Sequence, residues 1–204
     1  AFGENPKVVI GYDTRFLSAE FAAETARVLA WQGVKVDLAD NISSTPGVSL
    51  PEKNRGAALG VVITASHNPP LYNGYKLKAG FGGPATPEQV AELENELKPI
   101  LDNPPAMEYK PLKDYIDSGL VTKFNAETDY MENLSKTLDL EAIKKAGFKV
   151  LFDPMHGAAI GKGPKVLPDA DEIHGGYNPS FGALDHPEPI GVTLGELMEI
   201  MKTG

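Results

Sequence analysis

Two short β-branched runs bracket an amphipathic helix near the start of the chain, and this spacing limits the fold more than any other feature. Lys7-Val-Val-Ile10 stops at Gly11, and residues 34–38 repeat the pattern. Between them Phe21, Ala22, Thr25, Val28 and Leu29 recur at three- and four-residue intervals. That is the period of one helix face, with Ser18 placed as N-cap and Gly33 as the stop. A strand, a helix and a strand within about 30 residues form a βαβ unit, which needs a parallel pairing and a right-handed crossover. With a third run at 57–63, the class expected is α/β: a mixed, mainly parallel sheet flanked by helices.

The rest of the chain is read with the same rules. Thr45-Pro46 opens a helix over 46–53, because proline suits the first helical position. A Gly/Asn/Pro-rich loop over 67–83 is interrupted by the short run Tyr75-Lys-Leu77. An acidic, amphipathic helix over 87–101, capped by Thr86, reads as a solvated outer helix. Asn103-Pro-Pro105 ends it, and residues up to 120 show no strong period. Helices follow over 126–138 and 139–147, then a strand over 148–152, where the strand–loop–helix programme restarts. The expected division is therefore residues 1–135 and 136–204. The second part offers one strand and one helix, over 193–202, and reads as an incomplete α/β domain with too little sheet for a good core.

Charge and cysteine exclude several function classes. Lys plus Arg number 19 against 28 Asp plus Glu, and a net charge of -9 repels the phosphate backbone of nucleic acid. A local cationic pocket can still attract a small anion. With no cysteine, disulfides, thiolate metal sites and thiol redox chemistry are impossible, and a cytoplasmic setting is expected. Apolar runs fall far short of the roughly 20 residues a membrane span requires, so no membrane partner is expected.

Ile63-Thr-Ala-Ser-His-Asn-Pro69 carries the chemistry. It follows the third strand run, and the carboxyl ends of strands face the ligand crevice in open α/β sheets. Ser66 is thus a candidate nucleophile; alternatively its loop is a turn whose hydroxyl and amide groups satisfy backbone. A hydrolase elbow is missing, since Thr64 and Asn68 occupy the flanking positions where glycines belong. A histidine adjacent in sequence also suits a base poorly, because neighbouring side chains diverge on an extended segment. Phosphoryl transfer instead wants cations and donors around three charged oxygens. Arg15, past the first strand, and Lys76, past the serine loop, can supply them: one as a bidentate fork, the other as a charge that also releases a proton.

Thr64-Ala65-Ser66-His67-Asn68-Pro69 resembles the phosphoserine loop of the α-D-phosphohexomutases, the phosphoglucomutase/phosphomannomutase family. Its company agrees in order: Gly11-Tyr-Asp-Thr-Arg15, Ser44-Thr-Pro46 and Asn73-Gly-Tyr-Lys76. Phe152-Asp-Pro-Met-His-Gly157 and His186-Pro-Glu-Pro189 are similar to segments of that family's second domain. The resemblance implies interconversion of hexose 1-phosphate and 6-phosphate through a hexose 1,6-bisphosphate, with glucose 1,6-bisphosphate as activator. It implies Ser66 as phosphoryl donor and acceptor, touching Mg²⁺ through its phosphate. Arg15, His67 and Asn68 would bind or position the phosphoryl group, and Lys76 would move a proton. Further domains would grip the phosphosugar. The Thr64-Ala-Ser form resembles the glucose/mannose branch more than the phosphoglucosamine branch.

The pattern also breaks. The family's Asp-Gly-Asp metal loop is absent: at Asp169-Ala-Asp171, Ile173 stands in the third position and no arginine follows. Three carboxylates on a hard cation need the right spacing to converge. The metal aspartates are expected beyond Gly204, residues 158–172 look compressed, and the chain is expected to be an N-terminal fragment inactive alone. A non-catalytic α/β module binding a phosphorylated ligand is the alternative. The identity of the hexose and the oligomeric state are not written in these residues.

Overall fold

A computed structural model describes residues 6–203. Five strands, β1 (Lys7–Tyr12), β2 (Lys35–Ala39), β3 (Leu59–Ile63), β4 (Tyr75–Ala79) and β5 (Val121–Phe124), form one sheet in the order β4-β3-β1-β2-β5. All pairs are parallel except β3–β4, which is antiparallel. The mixed, mainly parallel sheet expected from the sequence is present. Helix α1 (Ser18–Trp31) carries the chain from β1 to β2, and α2 (Thr45–Asn54) carries it back across β1 to β3. The strand order therefore reverses between β1 and β3, which is where a ligand crevice opens in such sheets.

Alternation along the strands divides the core into two layers. Val8, Ile10, Val36, Leu38, Val61 and Ile63 pack against Ala22, Ala26 and Ala30 of α1. Val9, Ala39 and Val62 face the other way, against Val48 of α2 and Ala126. The buried face of α1 is alanine at every fourth residue, so the helix sits close to the sheet. On the opposite face close approach is a requirement at Gly11. A Cβ there would lie 2.4 Å from Cγ2 of Val48 and 3.2 Å from Cβ of Ser43. Gly11→Ala is expected to cost about 1–3 kcal/mol by forcing α2 off the sheet; urea unfolding checks this as a fall in midpoint at unchanged slope.

Several boundaries depart from the sequence reading. Ser18 is not the cap of α1: Leu17 precedes the helix in a left-handed conformation (φ 59°), and the Ser18 hydroxyl donates to Asp13 Oδ1 at 2.9 Å. Tyr75-Lys-Leu77 is the core of β4 instead of a loop interruption. A helix, α4 (Leu112–Asp117), occupies the stretch after 105 that shows no period, and β5 follows at its end; each is too short to display a period. The outer helix, α3 (Pro87–Asp102), is capped by Thr86 in a full capping box and buries no residue.

Helix α5 (Ala126–Thr137) packs on α2, and α6 (Leu140–Lys145) follows. The strand expected over 148–152 contracts to β6 (Leu151–Phe152). It pairs in parallel with β7 (Asp171–Glu172), through a connection holding the one-turn α7 (Gly163–Val166). Helix α8 (Gly195–Thr203) closes the described chain. No helix among the described residues is long and apolar enough to cross a membrane.

Candidate active site

Three loops converge at the carboxyl edge of the sheet. Tyr12 of β1 lies opposite Ile63 of β3, and just beyond them the Asp13 amide donates to the Ile63 carbonyl at 3.1 Å. The Ser43 amide donates to the Tyr12 carbonyl at 2.8 Å, which brings the start of α2 to the same edge. Ser66, exposed and in a left-handed conformation (φ 58°), tops the third loop. Such a conformation in a non-glycine residue costs roughly 1 kcal/mol or more and persists only where its surroundings fix it.

The fixing group is Arg15. Its side chain is 1% exposed and lies beneath the loop. Nη1 donates to the carbonyls of Pro69 and Tyr72, both at 2.9 Å; Nη2 donates to those of Ser66 at 2.9 Å and Asn68 at 2.7 Å. Nε faces Asp13 Oδ2 at 3.3 Å. Burial pulls the guanidinium pKa down, and Asp13 opposes that shift. A guanidinium has four Nη–H donors, and here all four meet backbone oxygen. The phosphate fork expected of Arg15 is therefore not offered in this geometry; the residue holds the loop that carries the serine.

Histidine departs from expectation in the opposite direction. Because Ser66 leaves the extended conformation, adjacent side chains no longer diverge, and His67 Nδ1 stands 3.4 Å from Ser66 Oγ. That contact is long for a hydrogen bond. No carboxylate among the described residues orients the other ring nitrogen, so a hydrolase triad is not assembled. The remaining loop bonds are internal: the Ser66 amide donates to Thr64 Oγ1 at 3.0 Å, and Asn68 to the Ala65 carbonyl at 3.1 Å. Asn68 is exposed, and only its backbone engages Arg15. Lys76 is exposed on β4 opposite Val62 and does not line the cleft. Directly paired residues share a face, so it stands on the side of the sheet where Val62 forms cleft wall.

That cleft, of about 590 Å³, lies between the β1, β3 and α2 loops on one side and residues 152–159, Phe181 and 187–189 on the other. Ser66, His67, Thr14, Ser43 and Thr45 face it from the sheet; Asp153 and Glu188 face it from the second half. Asp153 accepts from the Met155 amide at 2.8 Å and from His174 Nδ1 at 3.0 Å. Burial lowers the His174 pKa, but the hydrogen bond and charge of Asp153, with Glu196, outweigh it and the net shift is upward. Asp13 is taken by Arg15 and Ser18, and Glu188 lies 3.4 Å from His186. The carboxylates of the cleft are thus already partnered, and no group of three or more metal-ligating side chains occurs among the described residues. The donors present do not fit a Mg²⁺ site by themselves. Asp171, within the Asp169-Ala-Asp171 segment, pairs in β7 instead.

Phe181 has no signal in the sequence: a lone aromatic in a Gly/Pro-rich stretch matches no period. It is 2% exposed, and its ring centroid lies 4.9 Å from Arg15 Cζ.

An open α/β sheet with a hydroxyl on a strained loop at its switch point, facing a cleft closed by a second segment, has the layout of a ligand-binding α/β site. Family models agree with that geometry. Residues 1–103 match phosphoglucomutase/phosphomannomutase α/β/α domain I, and residues 128–204 match domain II. The chain belongs to the phosphoglucomutase/phosphomannomutase family. It is 32% identical over 169 residues to a phosphoglucomutase of Staphylococcus saprophyticus, covering 82% of this chain and 30% of that protein. A phosphoglucomutase of Staphylococcus epidermidis is 34% identical over 169 residues, with 80% and 30% covered. A crystal structure of a candidate phosphomannomutase from Thermus thermophilus superposes with a TM-score of 0.80 at 32% identity, covering 97% of this chain and 44% of that one. The Paramecium phosphoglucomutase parafusin, at 18% identity and TM-score 0.78, shares the fold; the match covers 100% of this chain and 42% of that one. The chain thus spans about a third of the length of the curated relatives it matches.

Proposed function

We propose that this chain is the phosphoryl-transfer part of a hexose-phosphate mutase, with residues 1–135 as the serine-bearing domain and 136–204 as part of a second domain. One observation carries the reading: Ser66 Oγ stands exposed at the switch point, facing a cleft of the size small ligands occupy. In the forward step the Oγ–phosphorus bond of phosphoserine breaks as a sugar hydroxyl bonds to phosphorus. The sugar hydroxyl passes its proton to a base, and the leaving serine oxygen takes up a proton in turn, so that Oγ ends as the hydroxyl. Lys76, which stands outside the cleft lining and would swing its side chain in, is the proposed base in its uncharged form, and His67, 3.4 Å from Oγ, places a ring nitrogen beside the transferring group. The reverse step, from a hexose 1,6-bisphosphate, returns the phosphoryl group to Ser66.

Mg²⁺ would neutralise charge on the transferring group, with Ser66 contributing a phosphate oxygen and aspartates from outside these 204 residues completing the site. Without those aspartates, or residues that grip the sugar, these 204 residues alone are expected to show no turnover of glucose 1-phosphate. Loading of Ser66 is the cleaner test. Incubation with glucose 1,6-bisphosphate and Mg²⁺ is expected to add the mass of one phosphoryl group, read by intact-mass spectrometry and lost in Ser66→Ala. An adduct that survives Ser66→Ala refutes the assignment of the nucleophile. Binding of the bisphosphate without any adduct, in a protein that also carries the metal aspartates, favours a non-catalytic module that retains a phosphosugar.

A further inference from the structure

Arg15 is gripped on two sides that belong to different parts of the chain. Its four Nη–H groups are met by the carbonyls of Ser66, Asn68, Pro69 and Tyr72, all in the serine loop, while Nε faces Asp13 without a hydrogen bond. Its Cζ lies over the ring of Phe181, 4.9 Å from the centroid, and that ring reaches across from the second half. A buried cation whose terminal donors are all met still gains from an aromatic face, which supplies attraction as well as exclusion of water. Phe181 is itself fixed by a tight local turn: its backbone is left-handed (φ 55°), its amide donates to the Asn178 carbonyl at 2.9 Å, and its carbonyl accepts from the Leu184 amide at 3.1 Å.

We infer that Phe181 is a positioning residue, which clamps the Arg15 guanidinium and so couples docking of the second domain to the conformation of the Ser66 loop. The inference deepens the phosphoryl-transfer reading and rests on it for its functional consequence. When the second domain is seated, the ring keeps Arg15 in the plane where it meets four carbonyls. When it withdraws, water reaches the guanidinium face and the left-handed turn at Ser66 loses its support. The serine is thereby competent only when the opposite wall of the cleft is in place, which excludes water from a phosphoryl group that would otherwise hydrolyse.

Hydrogen–deuterium exchange reads the loop without any phosphoryl transfer. The amides of Ser66, Asn68 and Tyr72 are held by Thr64 Oγ1, the Ala65 carbonyl and the Pro69 carbonyl. In Phe181→Leu, which keeps the site apolar and removes the π face, these amides are expected to exchange about tenfold faster while those of Val61 to Ile63 do not change. Phe181→Tyr keeps the face and is expected to exchange as the parent does. Coupling is reciprocal, so Arg15→Lys must accelerate exchange at Phe181 and Leu184 in the second half. Adding Phe181→Leu to Arg15→Lys is then expected to speed the loop little further. An unchanged loop in Phe181→Leu, or unchanged 181 and 184 amides in Arg15→Lys, overturns the proposal. The second arm, read with the amides of Val61 to Ile63 as the unchanged control for global unfolding, decides even if Phe181→Leu fails to fold. Fast loop exchange in a protein whose Ser66 is never phosphorylated leaves the clamp standing and removes the proposed function instead.

Discussion

Arg15→Met is expected to lower stability by about 3–5 kcal/mol, because it strips the partner from Asp13 and the donors from four loop carbonyls in a buried setting. The same change is expected to slow phosphoryl loading of Ser66 by about a hundredfold, the cost of misplacing a reacting group by roughly an ångström. Thermal unfolding and the time course of the intact-mass adduct measure the two effects. Arg15→Lys is not expected to rescue either, since one ammonium has three donors diverging from a point and cannot meet four carbonyls in a plane. The result also separates two roles for this residue. An arginine that grips substrate phosphate raises the bisphosphate concentration needed for half-maximal loading and leaves the loop unaltered. An arginine that holds the loop lowers the maximal loading rate and frees the loop amides. All four Nη–H groups already face carbonyl oxygen, which places the expected loss on the maximal rate.

Much of this arrangement was legible in the sequence because it depends on period and order. The β-branched runs at 7–10, 34–38 and 57–63 announced the parallel strands, and the position of Ser66 after the third followed from the general rule for strand tips. Orientation was less accessible. Arg15 and Lys76 are both cations in loop or strand-edge positions, and nothing in their spacing says that one lies under the loop at 1% exposure while the other points to solvent. The turn of Ser66 into the left-handed region brought His67 beside it, against the rule for extended chain, and serine is not a residue that advertises such a turn. Phe181 was invisible for a different reason. Its partner Arg15 lies far away in the chain, and contacts of such separation leave no local pattern. The strands β4, β5 and β7, of two to five residues, were missed or shortened because so few residues cannot show an alternation that distinguishes strand from loop.

Glu52→Gln is expected to remove most of the loss of stability that the parent suffers between about pH 5 and pH 8. Glu52 lies in α2, 0% exposed, with neither carboxylate oxygen hydrogen-bonded among the described residues. It fits against Gly60, where a Cβ would come within 2.9 Å of Oε2, and Lys78 stands opposite Gly60 on β4. Burial pushes the carboxyl up from its ordinary 4.5 to about 7, although the charge of Lys78 pulls the other way. The sign follows from proton binding. Between the two values the folded chain holds a proton that the unfolded chain has released, so stability falls as pH rises through that window and is fully retained below it. A shift of this size corresponds to up to about 3 kcal/mol. The upward shift of His174 adds a decline in the same direction, but it titrates in both proteins, so the difference between the two stability–pH curves isolates Glu52. Urea unfolding at about pH 5, 6, 7 and 8 measures that difference. Parallel curves would show that water or the Lys78 ammonium reaches the carboxylate, and that α2 carries no latent charge against the start of β3.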